Sequence, residues 1–356
     1  MGLQIRPVKS GTKEELDFLI LPHRIYKEQH LMQSSAEAQA YIAGKAPLSS
    51  TLTFQAFVGY ADEEVVIRGA IIQPQHASQV YLGFFEAMNQ PAWMTAFMTH
   101  LKDYARSVGA ISIQGPVQGS YWSGYRMKLN DFDRSPFTGE PHNPNYYPKL
   151  WTAAGFELTE RYVSNFYQEV PTNFQPERFK MRYQQFKQSG YHILSPDKAD
   201  WDLVISEVFD LLSELYQDFP LYQFIELKQF KNIFDSYRDI LDFSMVKLAY
   251  KEGQLVGFLI TLPDYGNLVY RSLNLWNLLK IFNLKKRPKR YIILYLGVDP
   301  HHLGLGTALS YPIFKAVAAR QAQAVGALIR QQTVTRSYLK ELQQDTTEYG
   351  LFELIL

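Results

Sequence analysis

The order of apolar runs in the first half of this chain returns in the second half, and that duplication limits the fold more than any single motif. A strand ("LQIRPV"), a helix, a hairpin, an apolar strand ("QVYLGFFEA"), a helix ("PAWMTAFMTHLKDYARSVG") and a further strand ("AISIQGPV") are followed later by "YYPKLWTAAGFELTERYVSNFYQEVP", a short helix and a long strand. From residue 191 the succession is strand, two helices, hairpin, strand, helix, strand, helix, strand. Corresponding points, Val80 with Tyr291 and Tyr147 with Tyr338, lie about 200 residues apart, which is the spacing of two similar domains and too wide for a short-period array. A chain of 356 residues also exceeds one ordinary core. The predicted architecture is α/β with an α+β type of mixed sheet: a domain over 1–172, a linker over 173–190 and a second domain over 191–356.

Local signals support these elements. Thr12 with Glu15 three residues on has the capping-box pattern, Pro91 suits the first position of a helix, and Asp200 suits an N-cap. Ala61-Asp62-Glu63-Glu64 and Lys251-Glu252-Gly253-Gln254 separate alternating runs and predict hairpins. The joint "PTNFQPERFKMRYQQFKQSG" is polar and is expected to contain a helix.

Composition removes several function classes. With 46% apolar and 20% charged residues the chain has ample material for a core and no disorder signature. The absence of Cys removes disulfides, thiol nucleophiles and cysteine zinc sites. A net charge of +1 gives no chain-wide attraction to nucleic acid or anionic membrane. No apolar run approaches the length of a membrane span and no leader pattern opens the sequence, so a cytoplasmic, soluble protein is expected. Adjacent His301 and His302 point apart and have no third ligand spaced nearby, so no metal is expected.

The stretch "YIILYLGVDPHHLGLGTALSYPIFKAV" (291–317) holds the strongest chemical signal: a strand, a turn, two glycines spaced by one residue and an amphipathic helix. Unpaired N–H groups and the positive end of the helix dipole then aim at one spot, which suits phosphate, with Gly304 and Gly306 leaving room and Thr307 adding a hydroxyl. A tight helix start that merely tolerates no side chain explains the same glycines. The third glycine of a dinucleotide-binding turn and the Gly-Lys-Ser/Thr of a P-loop are both lacking.

Placed after a hairpin and a fourth strand, "VDPHHLGLGTAL" resembles the coenzyme A loop of the GNAT acyltransferase superfamily, Gln/Arg-x-x-Gly-x-Gly/Ala, with His301 departing at the basic position and Gly304 and Gly306 at the small ones. The resemblance covers 191–356 and, at the level of element order, the first half too, giving two acyl-CoA N-acyltransferase-like domains in tandem. It implies acetyl-CoA as acyl donor, held by Leu303, Gly304, Leu305, Gly306 and Thr307, with His301 able to offer one donor. It also implies a pantetheine-facing strand edge with an oxyanion donor at Leu296 to Val298, and Tyr338 as the acid that reprotonates the leaving thiolate. A phenol, with an ordinary pKa of about 10, carries its proton at neutral pH; an ordinary half-buried aromatic is the alternative for Tyr338. Glu86 and Asp264 end strands and are the carboxylates considered for a base, though loop or cap roles fit both.

In the first half "EAMNQPAWMTAF" has Asn89, Gln90 and Pro91 where glycines should stand, so that domain is expected to lack a cofactor site. Its segment "GPVQGSYWSGYRMKLNDFDRSPFTGEPHNPNYYPKL" is unusually long for a loop: either an ordered aromatic cover, or an acceptor wall using Tyr121, Trp122, Tyr125 and Arg126. The expected partner is a small-molecule or peptide amine, with no nucleic acid and no integral membrane segment. Two further readings are a non-catalytic binding protein of the same fold and an aminoacyl-tRNA-dependent transferase. "NLKKRPKR" reads first as a solvated loop; with the preceding "YRSLNLWNLLKIF" it is apolar then basic, as in a helix lying on a membrane.

Overall fold

The computed structural model describes residues 2–174, 176–217, 219, 221–271 and 274–356. The chain divides into two compact units, one of Met1–Tyr162 with Glu348–Leu356 and one of Val163–Thr347. Each has a mixed α/β architecture built on its own strands.

The first unit runs β1 (Gln4–Pro7), α1 (Lys13–Ile25), α2 (Ser35–Ile42), β2 (Leu52–Ala61), β3 (Glu64–Pro74), β4 (Gln79–Ala87), α3 (Pro91–Ser107), β5 (Ser112–Gly115), β6 (Met127–Lys128), α4 (Tyr147–Ala153) and the start of β7 (Glu157–Tyr167). Strands β1 to β4 are antiparallel neighbours, and β5 joins β4 in parallel. The hairpin β2–β3 closes with Asp62 and Glu63 both at positive φ, the two-residue turn whose twist matches paired strands. Alternation along β3 sorts the two faces. Ile67 and Ile71 join Phe97, Leu101 and Trp151 in one core, while Arg68 lies on the other face with its guanidinium 4.4 Å from the Phe18 ring of α1. The capping box at α1 does not form: Glu15 accepts from the Gly11 N–H (2.6 Å), one residue before the N-cap, the Thr12 N–H donates to the Lys9 carbonyl, and Thr12 makes no side-chain cap.

The second unit continues with α5 (Glu177–Gln188), β8 (Tyr191–Leu194), α6 (Trp201–Leu215), α7 (Leu227–Phe234), α8 (Tyr237–Ile240), β9 (Val246–Lys251), β10 (Gln254–Pro263), α9 (Leu275–Lys286), β11 (Arg290–Val298), α10 (Leu305–Ala319), β12 (Gln323–Arg330) and the start of β13 (Gln343–Ile355). Strands β8 to β11 are antiparallel neighbours and β11 pairs β12 in parallel. Leu305, Leu309, Ile313 and Val317 of α10 pack with Phe179 and Phe186 of α5 over this sheet.

Three expectations need correction. Residues 348–356 complete the first unit, not the second: Phe352 pairs with Gly115 and Leu354 with Ile113, and the Tyr349 hydroxyl donates to Glu140 (2.7 Å), itself ion-paired with fully buried Lys128. An apolar terminal strand can fill any open sheet edge of matching alternation, so its sequence does not say which. The expected linker 173–190, of which Gln175 lies outside the described residues, carries α5, and α5 is core of the second unit. "VTRSYLKEL" forms two 3-10 turns, Val334–Ser337 and Lys340–Leu342, and no α-helix.

Candidate active site

In the second unit the parallel ladder of β11 and β12 stops at Ile293 and Gly326, yet both strands continue, to Val298 and Arg330. Beyond that point a slot opens between them. The Asp299 N–H donates to the Val256 carbonyl (3.0 Å), so antiparallel alternation turns the backbone groups of Val298 and Leu296 away from β10 and into the slot. A bulge between Ile260 and Thr261, which face Tyr295 and Ile293, bends β11 just before this edge.

The turn after β11 ends on Gly304, which has φ +92, the left-handed region that favours glycine. His302 N–H donates to the Asp299 carbonyl and Leu305 N–H to that of His302, while Thr307 N–H bonds back to Gly304. Among the described residues the N–H groups of Leu303, Gly304 and Gly306 have no intramolecular acceptor at the start of a 15-residue helix. Unpaired donors at a helix N-terminus favour an anion.

A Cβ on Gly306 would meet Leu296 Cδ2 at 3.3 Å, the Tyr338 hydroxyl at 3.4 Å and Val298 Cγ2 at 3.7 Å. The fold therefore brings together Leu296, Val298, Gly306 and Tyr338, and Thr307 Oγ1 joins them 3.2 Å from the Tyr338 hydroxyl. Tyr338 follows a 3-10 turn, and Tyr167 fixes it by donating to its carbonyl (2.8 Å). Leu305 has a different role: fully buried, it packs against Gly257. Leu303 is exposed.

His301 is exposed and bonded to the first residue of the turn. Its backbone N–H and its ring Nδ1 each lie 2.8 Å from Asp299 Oδ1, and the N–H first, then the ring, hold that carboxyl below its usual range. His302 is engaged with the Tyr191 hydroxyl (2.6 Å). The cation at the turn is Arg182 of α5, whose Nε and Cζ would lie 3.6 and 3.7 Å from a Cβ on Gly304. Sequence reasoning missed Arg182 because it sits in the segment read as linker; the apolar spacing Phe179, Tyr183, Phe186 is the signal that could have placed the helix against the core.

The matching slot in the first unit is filled. Strands β4 and β5 pair only from Gln79 to Tyr81, but beyond Leu82 the Val117 N–H donates to the Leu82 carbonyl (3.0 Å) and the Gln118 side chain accepts from the Phe84 N–H. At the edge position equivalent to Val298, the Ala87 N–H donates to the Tyr147 hydroxyl (2.7 Å) and the Ala87 carbonyl accepts from Tyr146 (2.8 Å). Glu86 is buried and accepts from Tyr26, Tyr147 and Gln33, and Gln33 in turn accepts from the buried Arg68. Burial is the main force pushing Glu86 up and Arg68 down to about 10. Helix α3 opens on Gln90 and Pro91, and proline has no N–H to offer.

Tyr121, Trp122, Tyr125 and Arg126 are also brought together, inside the first unit. The Arg126 guanidinium lies 3.8 Å from the Tyr125 ring and 4.2 Å from that of Tyr162, and Trp122 and Tyr125 are buried. Tyr121 and Arg126 stay half-buried at the edge of this cluster. Neither carboxylate considered as a base is available: Glu86 is enclosed, and Asp264 is held by Arg290 and by the Gly266 N–H (2.8 Å). Among the described residues no three His, Asp or Glu side chains are grouped to hold a metal.

No protein-family profile and no curated protein sequence matches the chain. Solved structures do. A tandem GNAT protein from the clavulanic acid biosynthesis pathway aligns over 99% of this chain and 98% of its own, at TM-score 0.55 and 10% identity. A GCN5-related glucosamine N-acetyltransferase region of a fungal multi-domain GH3 β-N-acetylglucosaminidase aligns over 99% of this chain and 38% of its own, at TM-score 0.57 and 11% identity. A GCN5-related N-acetyltransferase from Sphaerobacter thermophilus aligns over 99% and 95%, at TM-score 0.50 and 14% identity. At these identities the likeness shows the fold.

Proposed function

The chain has a GNAT-like, tandem α/β fold, and from that premise we propose that it is an N-acyltransferase that takes an acyl group, in the simplest case acetyl, from coenzyme A in its second unit and passes it to an amine of small-molecule or peptide type. The observation that carries this reading is the open slot: three unpaired N–H groups at Leu303, Gly304 and Gly306, a cation at Arg182 and the unpaired strand edge at Leu296 and Val298 converge on one side of the α10 N-terminus. The residues fit a diphosphate followed by an extended amide-bearing arm. Coenzyme A, when bound, supplies a thioester-activated acyl group.

The chain's own residues do the rest. The N–H groups of the Gly304 turn and the Arg182 guanidinium hold the diphosphate through charge-assisted hydrogen bonds. The edge of β11 orients the arm, and an N–H at Leu296 or Val298 serves the oxyanion, a donor fixed before reaction and so free of reorganisation cost. The Tyr338 hydroxyl lies beside Gly306 and Thr307 and gives its proton to the departing thiolate as the C–N bond replaces the C–S bond; the proton that the amine nitrogen loses passes to water, from which Tyr338 is reprotonated. The first unit, with its slot filled by Val117, Gln118 and Tyr147, binds no cofactor of its own.

Thermal stabilisation by acetyl-CoA tests the reading. At about a hundred times Kd it should raise stability by about 2.7 kcal/mol. Gly306→Leu should abolish that shift while the protein still folds, because the new side chain meets Leu296, Val298 and Tyr338. Absence of a shift in the unaltered protein, or an undiminished one in Gly306→Leu, would sink the assignment. Turnover, assayed as free thiol released in the presence of an amine panel, separates an enzyme from a protein that only binds.

A further inference from the structure

Helix α9 is capped and anchored, yet most of its surface is apolar and uncovered. Asn274 caps it by accepting from the Asn277 N–H (2.9 Å), Asn277 is buried, and Lys285 donates to the Asp239 carbonyl (2.7 Å). The opposite side carries Leu275 and Trp276, 72% and 75% exposed, with Leu278, Leu279 and Phe282 between 47% and 52%. Five of the fourteen exposed large apolar side chains among the described residues thus fall within eight positions, which makes a patch and not scattered singles. Ser272 and Leu273, just before the helix, lie outside the described residues.

Charge is one-sided here. Residues 275–290 contain no Asp or Glu, and Lys280, Lys286, Arg287 and Lys289 form no ion pair among the described residues. Lys280, Lys286 and Arg287 line a groove of about 620 Å³ with Leu268, Asn283 and Leu284, directly beside the apolar side. The Lys286 ammonium lies 4.4 Å from the centre of the Phe282 ring, a cation on an exposed aromatic face. Among the described residues no helix is long and apolar enough to cross a membrane.

We infer that α9 is a docking helix for an anionic lipid surface, its Leu275, Trp276, Leu279 and Phe282 side chains entering the headgroup boundary while Lys280, Lys286 and Arg287 meet lipid phosphates. Three features select this partner. The exposed apolar side chains span a wide sector from Trp276 round to Leu278, joined by Lys286 and Asn283 in the later turns, which suits lying in an interface, where a helix seated in a protein groove needs only a narrow seam. A second copy of the chain would bring the same unpaired cations together. Nucleic acid would leave the exposed leucines and phenylalanine in water. Anionic lipid satisfies both the apolar face and the cations around it.

Co-sedimentation of the full chain with vesicles tests this. It should pellet with vesicles of equal phosphatidylglycerol and phosphatidylcholine and not with phosphatidylcholine alone, and binding should weaken as salt shortens the screening length from about 30 Å to about 8 Å. Trp276→Glu combined with Phe282→Glu should lower binding at least about tenfold, as should Lys280→Glu combined with Lys286→Glu. Inorganic phosphate at millimolar concentration should not compete, which distinguishes a lipid surface from a phosphate pocket. Circular dichroism and melting of both variants should match the parent, since all four positions are exposed. Lack of binding to anionic vesicles at low salt would overturn the inference, and so would binding that neither double variant weakens. A concentration-dependent dimer abolished by Trp276→Glu, without vesicle binding, would assign the face to a second copy instead.

Discussion

The two units place the same parts around the same opening and use them in opposite ways. In the first, the gap beyond Leu82 is closed by the Val117 and Gln118 segment, and Tyr147 spends its hydroxyl on the Ala87 backbone and on Glu86. In the second, the equivalent strand edge at Leu296 and Val298 is unpaired, and Tyr338 lies by Gly306 and Thr307. One tyrosine locks a core and its counterpart borders a slot. The lesson is that two units with the same order of elements can differ in whether a strand edge stays open, because in the first the chain itself makes the hydrogen bonds at that edge.

Substitutions in each unit test this difference. The largest effect should come from Glu86→Ala, which strands the buried Arg68 guanidinium and the Tyr26 and Tyr147 hydroxyls and should cost about 3–5 kcal/mol of stability by urea denaturation. Acetyl-CoA binding by the protein that remains folded should be unchanged; a loss would tie the first unit to the cofactor. Tyr338→Phe should cut kcat by a factor of about a hundred, with acetyl-CoA affinity retained and Thr307 left without its neighbour. Equal rates for the two proteins would return Tyr338 to the role of an ordinary aromatic. Arg182→Ala should weaken acetyl-CoA by about 1.5 kcal/mol, roughly tenfold, less so in high salt, while His301→Ala should change it little because that ring is held by Asp299. The reverse ranking of these two variants, read by calorimetry, would restore His301 as the anion contact.

Much of the fold was legible because its signals are local. Both hairpins follow from alternating runs around two-residue turns, and Asp62, Glu63, Glu252 and Gly253 take the positive φ those turns demand. The glycine pair was legible for the same reason: Gly304 needs its backbone geometry whatever surrounds it. Arg182, the stacking of Arg126 on Tyr125 and Tyr162, and the buried Glu86 were not, since each depends on what the rest of the chain brings alongside.

By itself, then, the amino-acid order determined the duplicated succession of strands and helices, the turns, and the helix start with room for an anion; these are matters of period and of φ, which a few neighbouring residues decide. Tertiary structure alone decided which unit the last strand completes, which of two like slots stays open, and which cation reaches it. Those outcomes rest on pairing and packing between residues distant in sequence: Phe352 with Gly115, Val117 with Leu82, Arg182 with Gly304.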